Sequence, residues 1–238
     1  MILCTGDIHG TNGLRRFNKI KHMDLTCDDY IIVAGDFGVI WHDIDKVHYL
    51  DKNQEGLKWL LKNVKCRVLF VDGNHENFNR LNEYPVTEWN SGKIHKINEQ
   101  VFHLMRGQTF NIDGINIFTI GGARSTDKEW RTPNKSWWAA EEPTKEELEI
   151  YYKSFQSNMD KIHYIISHEC LGMAYPFVGV SEFIKKPSEY MFPYWLNGIY
   201  TDIAGKEQFK KFIFGHMHED KVIGSQIRAI YEDIIELV

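Results

Sequence analysis

Cysteine is scarce in this sequence, and the four cysteines are not arranged in pairs. Cys4, Cys27, Cys66 and Cys170 form no Cys-x-x-Cys motif, so neither a zinc knuckle nor a redox dithiol is indicated. The sequence also lacks an apolar run of 18 residues, and no basic segment with a long apolar stretch follows Met1. These absences argue against a membrane span and a signal peptide. We therefore expect a cytoplasmic protein with buried or free thiols and no membrane partner.

An excess of positive charge is also missing. The 238 residues include 28 Lys and Arg against 33 Asp and Glu, which gives a formal net charge of -5. This balance gives no electrostatic reason for tight, sequence-independent binding to long nucleic acid, so no stable nucleic-acid partner is expected. A hydrophobic content of 43% and a charged content of 26% are ordinary for a folded globular protein. No repeat or linker divides the chain, and its length suits one α/β domain.

What the sequence does contain is one construction repeated five times, an apolar, strand-like run followed by Asp, Asn or His. The runs end in Gly6-Asp7-Ile8-His9-Gly10, Gly35-Asp36-Phe37-Gly38, Asp72-Gly73-Asn74-His75-Glu76, Ser167-His168-Glu169 and Gly215-His216-Met217-His218. A buried strand delivers its last side chains to one edge of a sheet, and in open α/β sheets ligands bind beyond the carboxyl ends of the strands. We therefore expect these polar residues to meet at one site.

The first part of the chain alternates strand-like and helical patterns. Leu14, Phe17 and Ile20 lie three residues apart within 11–23, which predicts one face of a short helix. Residues 47–64 carry apolar residues at helical spacing, and Arg67–Val71 is predicted as the third strand. Three successive units of strand, polar motif and helix predict a parallel sheet.

The second part of the chain predicts shorter strands. Residues 110–120 predict a hairpin around Asp113-Gly114, because Asp-Gly readily takes the positive φ values of a type I′ turn. Thr144-Lys145-Glu146-Glu147 predicts a capping box that opens a helix to about residue 158. Residues 170–201 show no clean period and are interpreted as a long ordered loop or short helices. We expect a short helix at 204–211 and two strands in 222–238.

Together these patterns predict two sheets with helices outside each. The ordered series Asp-x-His, Gly-Asp, Gly-Asn-His-Glu, His and Gly-His-x-His, from Asp7 to His218, resembles the calcineurin-like metallophosphoesterases, and five such motifs in order are a specific signal. The resemblance implies an α/β fold, a four-layer αββα sandwich of two mixed β-sheets flanked by helices. We expect a single domain over residues 1–238, with loop insertions at about 121–143 and 170–203 near the active site.

The resemblance also implies two divalent cations. A phosphate ester repels an attacking hydroxide, and two cations about 3.5–4 Å apart neutralise this charge and acidify a bridging water. Carboxylate, amide and imidazole donors without thiolate suit Mn²⁺, Fe or Zn²⁺, of which we expect Mn²⁺. Carried over by position, one cation would be bound by Asp7, His9 and His218 and the other by Asn74, His168 and His216, with Asp36 bridging the two.

The resemblance implies that His75 is catalytic. It follows the ligand Asn74 and would act as a general acid toward the leaving oxygen, or as a positive charge beside the phosphoryl group. Glu76 is a candidate to orient His75 by a hydrogen bond. The remaining histidines are interpreted as ordinary surface or core residues, and Glu169 and Cys170 as bystanders.

Arg124 follows a double glycine and is the candidate for binding the substrate phosphate, because its planar guanidinium matches two phosphate oxygens. A surface ion pair with Asp127 or Glu129 is an equally good interpretation. The aromatic side chains of the two loops either stack on a nucleobase or pack the loops onto the domain, and we favour packing. They are Trp130, Trp137, Trp138, Tyr175 and Phe177.

The sequence departs from the serine/threonine protein phosphatases of the same superfamily. Those enzymes carry phosphate-binding arginines where Gly38-Val39-Ile40-Trp41 and Asp72 stand here. The sequence is closer in character to the small bacterial and phage phosphoesterases. We expect hydrolysis of phosphate mono- or diesters on a small substrate, possibly a nucleotide. A catalytically silent binding module and a DNA nuclease are the alternatives, and the sequence leaves the oligomeric state open.

Overall fold

The structure is a computed structural model that describes residues 1–43, 51–179 and 190–238. Its first sheet has seven strands in the order β13-β1-β2-β3-β6-β5-β4. Strands β1, β2, β3 and β6 are parallel, whereas β13, β5 and β4 pair antiparallel. The strands are β1 (Ile2–Thr5), β2 (Tyr30–Ala34), β3 (Arg67–Val71), β4 (Val86–Trp89), β5 (Gly92–Lys96), β6 (Val101–Leu104) and β13 (Ile234–Glu236).

The second sheet has six strands in the order β11-β12-β10-β9-β8-β7. Its four central strands run parallel, and the two edge strands are antiparallel to their neighbours. The strands are β7 (Gln108–Ile112), β8 (Ile115–Ile120), β9 (Tyr164–Ser167), β10 (Lys211–Phe214), β11 (Lys221–Ile223) and β12 (Ile227–Ala229). Both sheets are therefore mixed, as expected.

Four α-helices and five short 3₁₀ segments connect the strands in the described residues. The α-helices are α1 (Asn53–Asn63), α2 (Phe78–Leu81), α3 (Lys145–Asn158) and α4 (Phe192–Ile203). The 3₁₀ segments are Gly10–Ile20, Lys128–Trp130, Ala139–Glu141, Met159–Lys161 and Gly172–Phe177. None of the helices within these residues has the length and apolar character needed to cross a bilayer.

The layers follow from the alternation of apolar side chains along the strands. In β2, Ile31 and Val33 pack with residues of Gly10–Ile20 and α1 on the outer face, whereas Ile32 packs with residues of the second sheet. The other face of the second sheet packs against α3 and α4, where Phe118 contributes to one cluster. Because each buried strand has apolar residues on both faces, each sheet is covered on both sides. The predicted four-layer αββα sandwich is confirmed.

Several local predictions are also confirmed. Residues Gly10–Ile20 are helical and bury Leu14, Phe17 and Ile20, but the helix is 3₁₀, whose three residues per turn match this spacing. Asp113 and Gly114 have φ values of 50° and 84°, which are the positive values expected for the hairpin turn. Thr144 forms the predicted capping box, and the side chain of Glu147 bonds back to its backbone N–H. The predicted helix at 47–64 corresponds to α1, which begins at Asn53. Positions 47–50 of the prediction lie outside the described ranges.

Two local predictions are wrong. Residues 204–210 form turns rather than a helix, because α4 ends at Ile203, Gly205 takes a φ of 81°, and β10 begins at Lys211. Residues 222–238 contain three short strands rather than two. For 170–201, where a long ordered loop or short helices were expected, residues 180–189 lie outside the described ranges. The described part contains the 3₁₀ segment Gly172–Phe177 and α4, which has twelve residues and extends to Ile203. The buried apolar residues of α4 are spaced four, three and four apart, a helical period that the sequence interpretation missed. These residues are Phe192, Leu196, Ile199 and Ile203.

Candidate metal centre

Five strands end at the predicted site. Asp7 follows β1, Asp36 follows β2, and Asn74 follows β3, while His168 and His216 follow β9 and β10 of the other sheet. Because parallel strands place their carboxyl ends at the same edge, each sheet delivers its polar residues together. The loops are also joined directly, since the backbone N–H groups of Ile8 and His9 donate to the Asp36 carbonyl at 3.0 and 2.8 Å.

The backbone at these strand ends is in an unusual conformation. Eight non-glycine residues of the described ranges have positive φ, and four of them are predicted site residues. Such conformations cost about 1–3 kcal/mol each and concentrate at functional sites. The strain is distributed over His9 (φ 54°), Asp36 (46°), His216 (63°) and His218 (52°).

Glycines before two of the site residues, Asn74 and His216, allow the loops to approach closely. A Cβ atom on Gly73 would lie 2.1 Å from Asp36 Oδ1, and one on Gly215 would lie 2.4 Å from Asp7 Oδ1. Real Cβ atoms do not approach this closely, so only glycine fits without displacing the carboxylates. These glycines therefore let the donor groups converge.

The first group of donors is Asp7, His9 and His218. His218 Nε2 lies 3.1 Å from Asp7 Oδ2 and 2.9 Å from His9 Nε2, and His9 Nε2 lies 3.8 Å from Asp7 Oδ2. Asp7 is fully buried and accepts the His216 backbone N–H at 3.0 Å. Two imidazole nitrogens and a carboxylate oxygen therefore face one another, which is a donor set that transition-metal ions favour.

The second group is Asp36, His168 and His216. His168 Nε2 lies 3.2 Å from Asp36 Oδ1 and 3.1 Å from Asn74 Oδ1, so the amide joins the same cluster. The other ring nitrogen of His168 bonds to the Ala34 carbonyl at 2.9 Å, which fixes its orientation. Asp36 Oδ2 lies 3.8 Å from His9 Nε2 of the first group. The structure thus places Asp36 between the two groups and brings all seven predicted donors together.

His75 lies at the edge of this cluster. Its backbone N–H donates to Asp36 Oδ1 at 2.7 Å, and its ring centroid is 4.9 Å from that of His9. The ring nitrogen is close enough to His9 and Asp36 to form a third group that could hold an ion. The geometry therefore allows either a catalytic or a ligating role for His75, and the catalytic role stays a prediction.

Glu76 does not orient His75 as the sequence suggested. Its buried carboxylate oxygen Oε1 accepts the backbone N–H groups of Phe37 and Gly38 at 2.8 and 3.2 Å. These bonds attach the turn after β3 to the loop that contains Asp36. Burial, together with the nearby charge of Asp36, raises the pKa of Glu76 well above its ordinary value.

Electrostatics distinguish the imidazoles. Burial opposes charge at both members of the Asp36–His168 pair, but their mutual attraction and hydrogen bond lower the pKa of Asp36 and raise that of His168. Burial lowers the pKa values of His9 and His216. At neutral pH these two rings are therefore neutral, which is the form that binds metal ions. His168 is protonated in the metal-free protein. Because a cation replaces protons at its ligands, metal binding would release the proton of His168.

The donor set fits divalent metal ions. Within each group the ligand atoms lie within 4.8 Å of one another, and the set contains imidazole, carboxylate and amide donors with no thiolate. Such donors suit Mn²⁺, Fe and Zn²⁺. The side chains face one another at distances that a central cation would bridge.

Arg124 lies in a different environment from the one predicted. Its Nε and Nη2 atoms donate to the two carboxylate oxygens of Glu142 at 2.8 and 2.6 Å, and its guanidinium stacks on the Tyr190 ring at 4.1 Å. The ion-pair partner is Glu142 rather than Asp127 or Glu129. Because Glu142 occupies the Nε–Nη2 edge of the guanidinium, a phosphate could use that edge only if this pair opened. Its phosphate role stays a prediction.

Two residues of the 121–143 segment contact the cluster and were missed by the sequence interpretation. Arg131 Nη2 lies 3.2 Å from His75 Nε2. Ser125 Oγ accepts the Asn74 amide at 3.2 Å and donates to Glu141 Oε2 at 2.6 Å. No local pattern marks either residue, since both contacts join segments about fifty residues apart. One signal was available in the sequence: this segment follows directly after the double glycine that ends a strand, as the site residues follow theirs.

A cavity of about 270 Å³ opens beside His9 and His75. Trp41 lines it, with its ring 6.0 Å from that of His75, and Lys52 and Glu55 add one charge of each sign. Trp138, which is 2% exposed, packs against Trp41 edge to face. Trp138 therefore supports the loop, as the packing interpretation expected, whereas Trp41 offers an aromatic face to the cavity.

Residues 1–220 match the sequence profile of the calcineurin-like phosphoesterases. No curated protein is significantly similar to the chain in sequence.

Two solved structures resemble the chain as a whole. One is described as a 5′-nucleotidase from Staphylococcus aureus in complex with alpha-ketoglutarate, with a TM-score of 0.47 and 11% identity over 98% of this chain and 49% of that one. The other is the sulfate thiohydrolase SoxB from Thermus thermophilus in complex with glycerol, with a TM-score of 0.41 and 8% identity over 97% of this chain and 51% of that one. The chain therefore spans about half the length of these solved proteins.

Proposed function

The chain belongs to the calcineurin-like phosphoesterase family, and we propose that it is a metal-dependent hydrolase of small phosphate mono- or diesters. The observation that supports this most strongly is the convergence of seven donor side chains from five strand ends. A binding module that had lost catalysis would not need to keep the full set. The proposal covers one domain over residues 1–238 acting in the cytoplasm.

Two divalent cations would be held by the two groups of donors. Asp7, His9 and His218 would bind one, and Asn74, His168 and His216 the other, with Asp36 shared. When bound, the cations supply positive charge to the phosphoryl group and lower the pKa of a coordinated water. We expect Mn²⁺, with Fe or Zn²⁺ as the alternatives that the same donors accept.

The protein's own residues would orient the ester and protonate the leaving group. His75 lines the cavity beside Trp41, so a leaving group in this cavity would lie next to the His75 ring. Burial lowers the pKa of His75 to about 4, which favours the neutral ring in the free protein. A bound dianionic phosphoryl group would favour the protonated ring, since an adjacent negative charge stabilises imidazolium. His75 would then donate this proton to the leaving oxygen.

The cavity suggests the substrate class. Its aromatic lining at Trp41 and its modest volume suit a leaving alcohol that carries a planar group, such as a nucleoside or a phenol. Lys52 and Glu55 both line the cavity, so these two charges offset each other. These features support a small phosphate ester, including nucleotides, as substrate.

The test is hydrolysis of p-nitrophenyl phosphate and bis-p-nitrophenyl phosphate by the chain loaded with Mn²⁺, followed by a panel of nucleotides. We expect turnover of at least one ester that disappears on chelation and returns with metal. Failure on all of them after metal loading would favour the silent binding module. Nicking of supercoiled plasmid without turnover of small esters would instead favour a DNA nuclease.

A further inference from the structure

Arg131 lies closer to the His75 ring than its position in the sequence suggested. Its Nη2 atom is 3.2 Å from His75 Nε2, and its side chain is 14% exposed. Nε forms an ion pair with Asp127 Oδ1 at 2.8 Å, and Nη1 donates to the Ser136 carbonyl at 3.3 Å. The guanidinium is therefore held from two sides with its Nη2 end directed at the candidate metal centre.

The hydrogen-bond capacity of Arg131 is only partly used. A guanidinium has five N–H donors, and the contacts with Asp127, Ser136 and His75 occupy three of them within the described residues. Two donors remain on the terminal nitrogens. Two parallel N–H groups match two oxygens of a phosphoryl group, which is the geometry that makes arginine a strong phosphate ligand.

The charge environment also points to an anionic ligand. The Arg131 cation lies beside an imidazole at Nη2, and its carboxylate partner Asp127 contacts the neighbouring Nε. Asp127 is 51% exposed and the Arg131 side chain 14% exposed, so water screens the charge of Asp127 more strongly than that of Arg131. An anion bound between Arg131 and the metal centre would neutralise the positive charge of Arg131 that Asp127 leaves uncompensated.

We propose that Arg131 binds a nonbridging oxygen of the substrate phosphoryl group and selects dianionic monoesters over monoanionic diesters. The inference rests on the proposed function and deepens it by assigning the phosphate-binding residue. Arg131 would do what the arginines of the protein phosphatases do, but from the segment that follows β8 rather than from the strand ends. Its contact with His75 would also place the phosphoryl group beside the proposed general acid.

The first readout is phosphate binding, which does not depend on turnover. Inorganic phosphate is titrated calorimetrically into the Mn²⁺-loaded full chain, with metal content measured in each sample. A charge-assisted hydrogen bond contributes about 1.5–3 kcal/mol, so Arg131→Gln should weaken phosphate binding about 10- to 100-fold with unchanged metal content. Arg131→Lys should recover part of the affinity, since it restores the charge but not the planar fork.

The second readout is the ratio of kcat/KM for p-nitrophenyl phosphate to that for bis-p-nitrophenyl phosphate. Arg131→Gln should lower this ratio at least about threefold, because a cation attracts a dianion more strongly than a monoanion. Arg67→Gln is the control, since Arg67 begins β3 at the opposite edge of the sheet. It should change neither phosphate binding nor the ratio.

Three results would overturn the inference. Wild-type phosphate affinity in Arg131→Gln, with the ester ratio unchanged, would remove Arg131 from the site. Loss of phosphate affinity in Arg124→Gln but not in Arg131→Gln would assign the role to the other arginine. If the wild-type chain binds metal but neither binds phosphate nor hydrolyses any ester, the proposed function fails, and this inference fails with it.

Discussion

Replacing Asp72 by Asn removes one charge from a buried ion pair directly behind the Asn74–His75 turn. Asp72 is 1% exposed. It accepts Arg106 Nε at 2.7 Å through Oδ2 and lies 2.9 Å from His103 Nε2 through Oδ1. Burial alone would raise the pKa of Asp72, but the Arg106 charge and the His103 hydrogen bond hold it well below its ordinary range. The carboxylate is therefore charged and fully partnered at neutral pH.

The expected cost of Asp72→Asn follows from what is left behind. The Arg106 side chain is only 10% exposed, so it would stay buried without its counter-ion. Removing one partner of a buried pair costs about 3–5 kcal/mol, which is a large part of the 5–15 kcal/mol that typically stabilises a folded protein. The amide also cannot accept from both Arg106 and His103, because one of its two polar ends is a donor.

Urea unfolding, followed by tryptophan fluorescence and far-ultraviolet circular dichroism, measures this cost. With a slope of about 3 kcal/mol per molar, the unfolding midpoint should fall by about 1–1.7 M. Asp160→Asn is the matched control, since Asp160 pairs with Lys206 at 2.7 Å but is 83% exposed. Its effect should stay below about 1 kcal/mol. Equal midpoints for the two variants would refute the argument that the Asp72 pair is desolvated and structurally required.

Three further predictions concern the site and its surroundings. His75→Ala should keep both metal ions and lower kcat about 10²- to 10⁴-fold if the ring transfers a proton; loss of a metal ion, measured by elemental analysis, would make it a ligand instead. Gly73→Ala should abolish metal binding, because the new Cβ would lie 2.1 Å from Asp36 Oδ1, whereas Gly198→Ala, with nothing within 4 Å, should leave metal content unchanged. Burial, followed by the neighbouring His103, lowers the pKa of His95 to about 4. As the pH falls below about 6.5, His95 takes up a proton in the unfolded chain but not in the folded chain. The free energy of unfolding is therefore unaffected by His95 above pH 6.5 and falls by up to about 3 kcal/mol toward pH 4. His95→Asn should flatten that decline in urea midpoints, and an unchanged decline would contradict the assignment.

The parts of the site that could be predicted are those with a local signature. Asp7, Asp36 and Asn74 each follow a short apolar run, and the parallel arrangement of such runs requires their ends to share one edge. The spacing of Leu14, Phe17 and Ile20 similarly reflects the face that packs on the sheet. In these cases the sequence pattern and the three-dimensional contact arise from the same buried element.

The parts that could not be predicted depend on contacts between distant segments. Arg131 approaches His75 across 56 residues of sequence, and Arg124 meets Glu142 across 18. Neither partner can be chosen from spacing, because Arg131 and His75 lie on separate segments and the loop offers Arg124 several acidic residues. Asp72 was noticed only as a departure from the protein phosphatases, while its bonds to Arg106 and His103 required the folded chain.

The most direct test of the central claim is the metal content of the purified chain after loading with Mn²⁺, measured by elemental analysis alongside Asp36→Asn. The shared position of Asp36 predicts two ions per chain in the wild type and fewer than two in the variant, with the ions located by anomalous scattering beside Asp7 and His168. Fewer than one ion per wild-type chain, or ions bound away from these residues, would contradict the account.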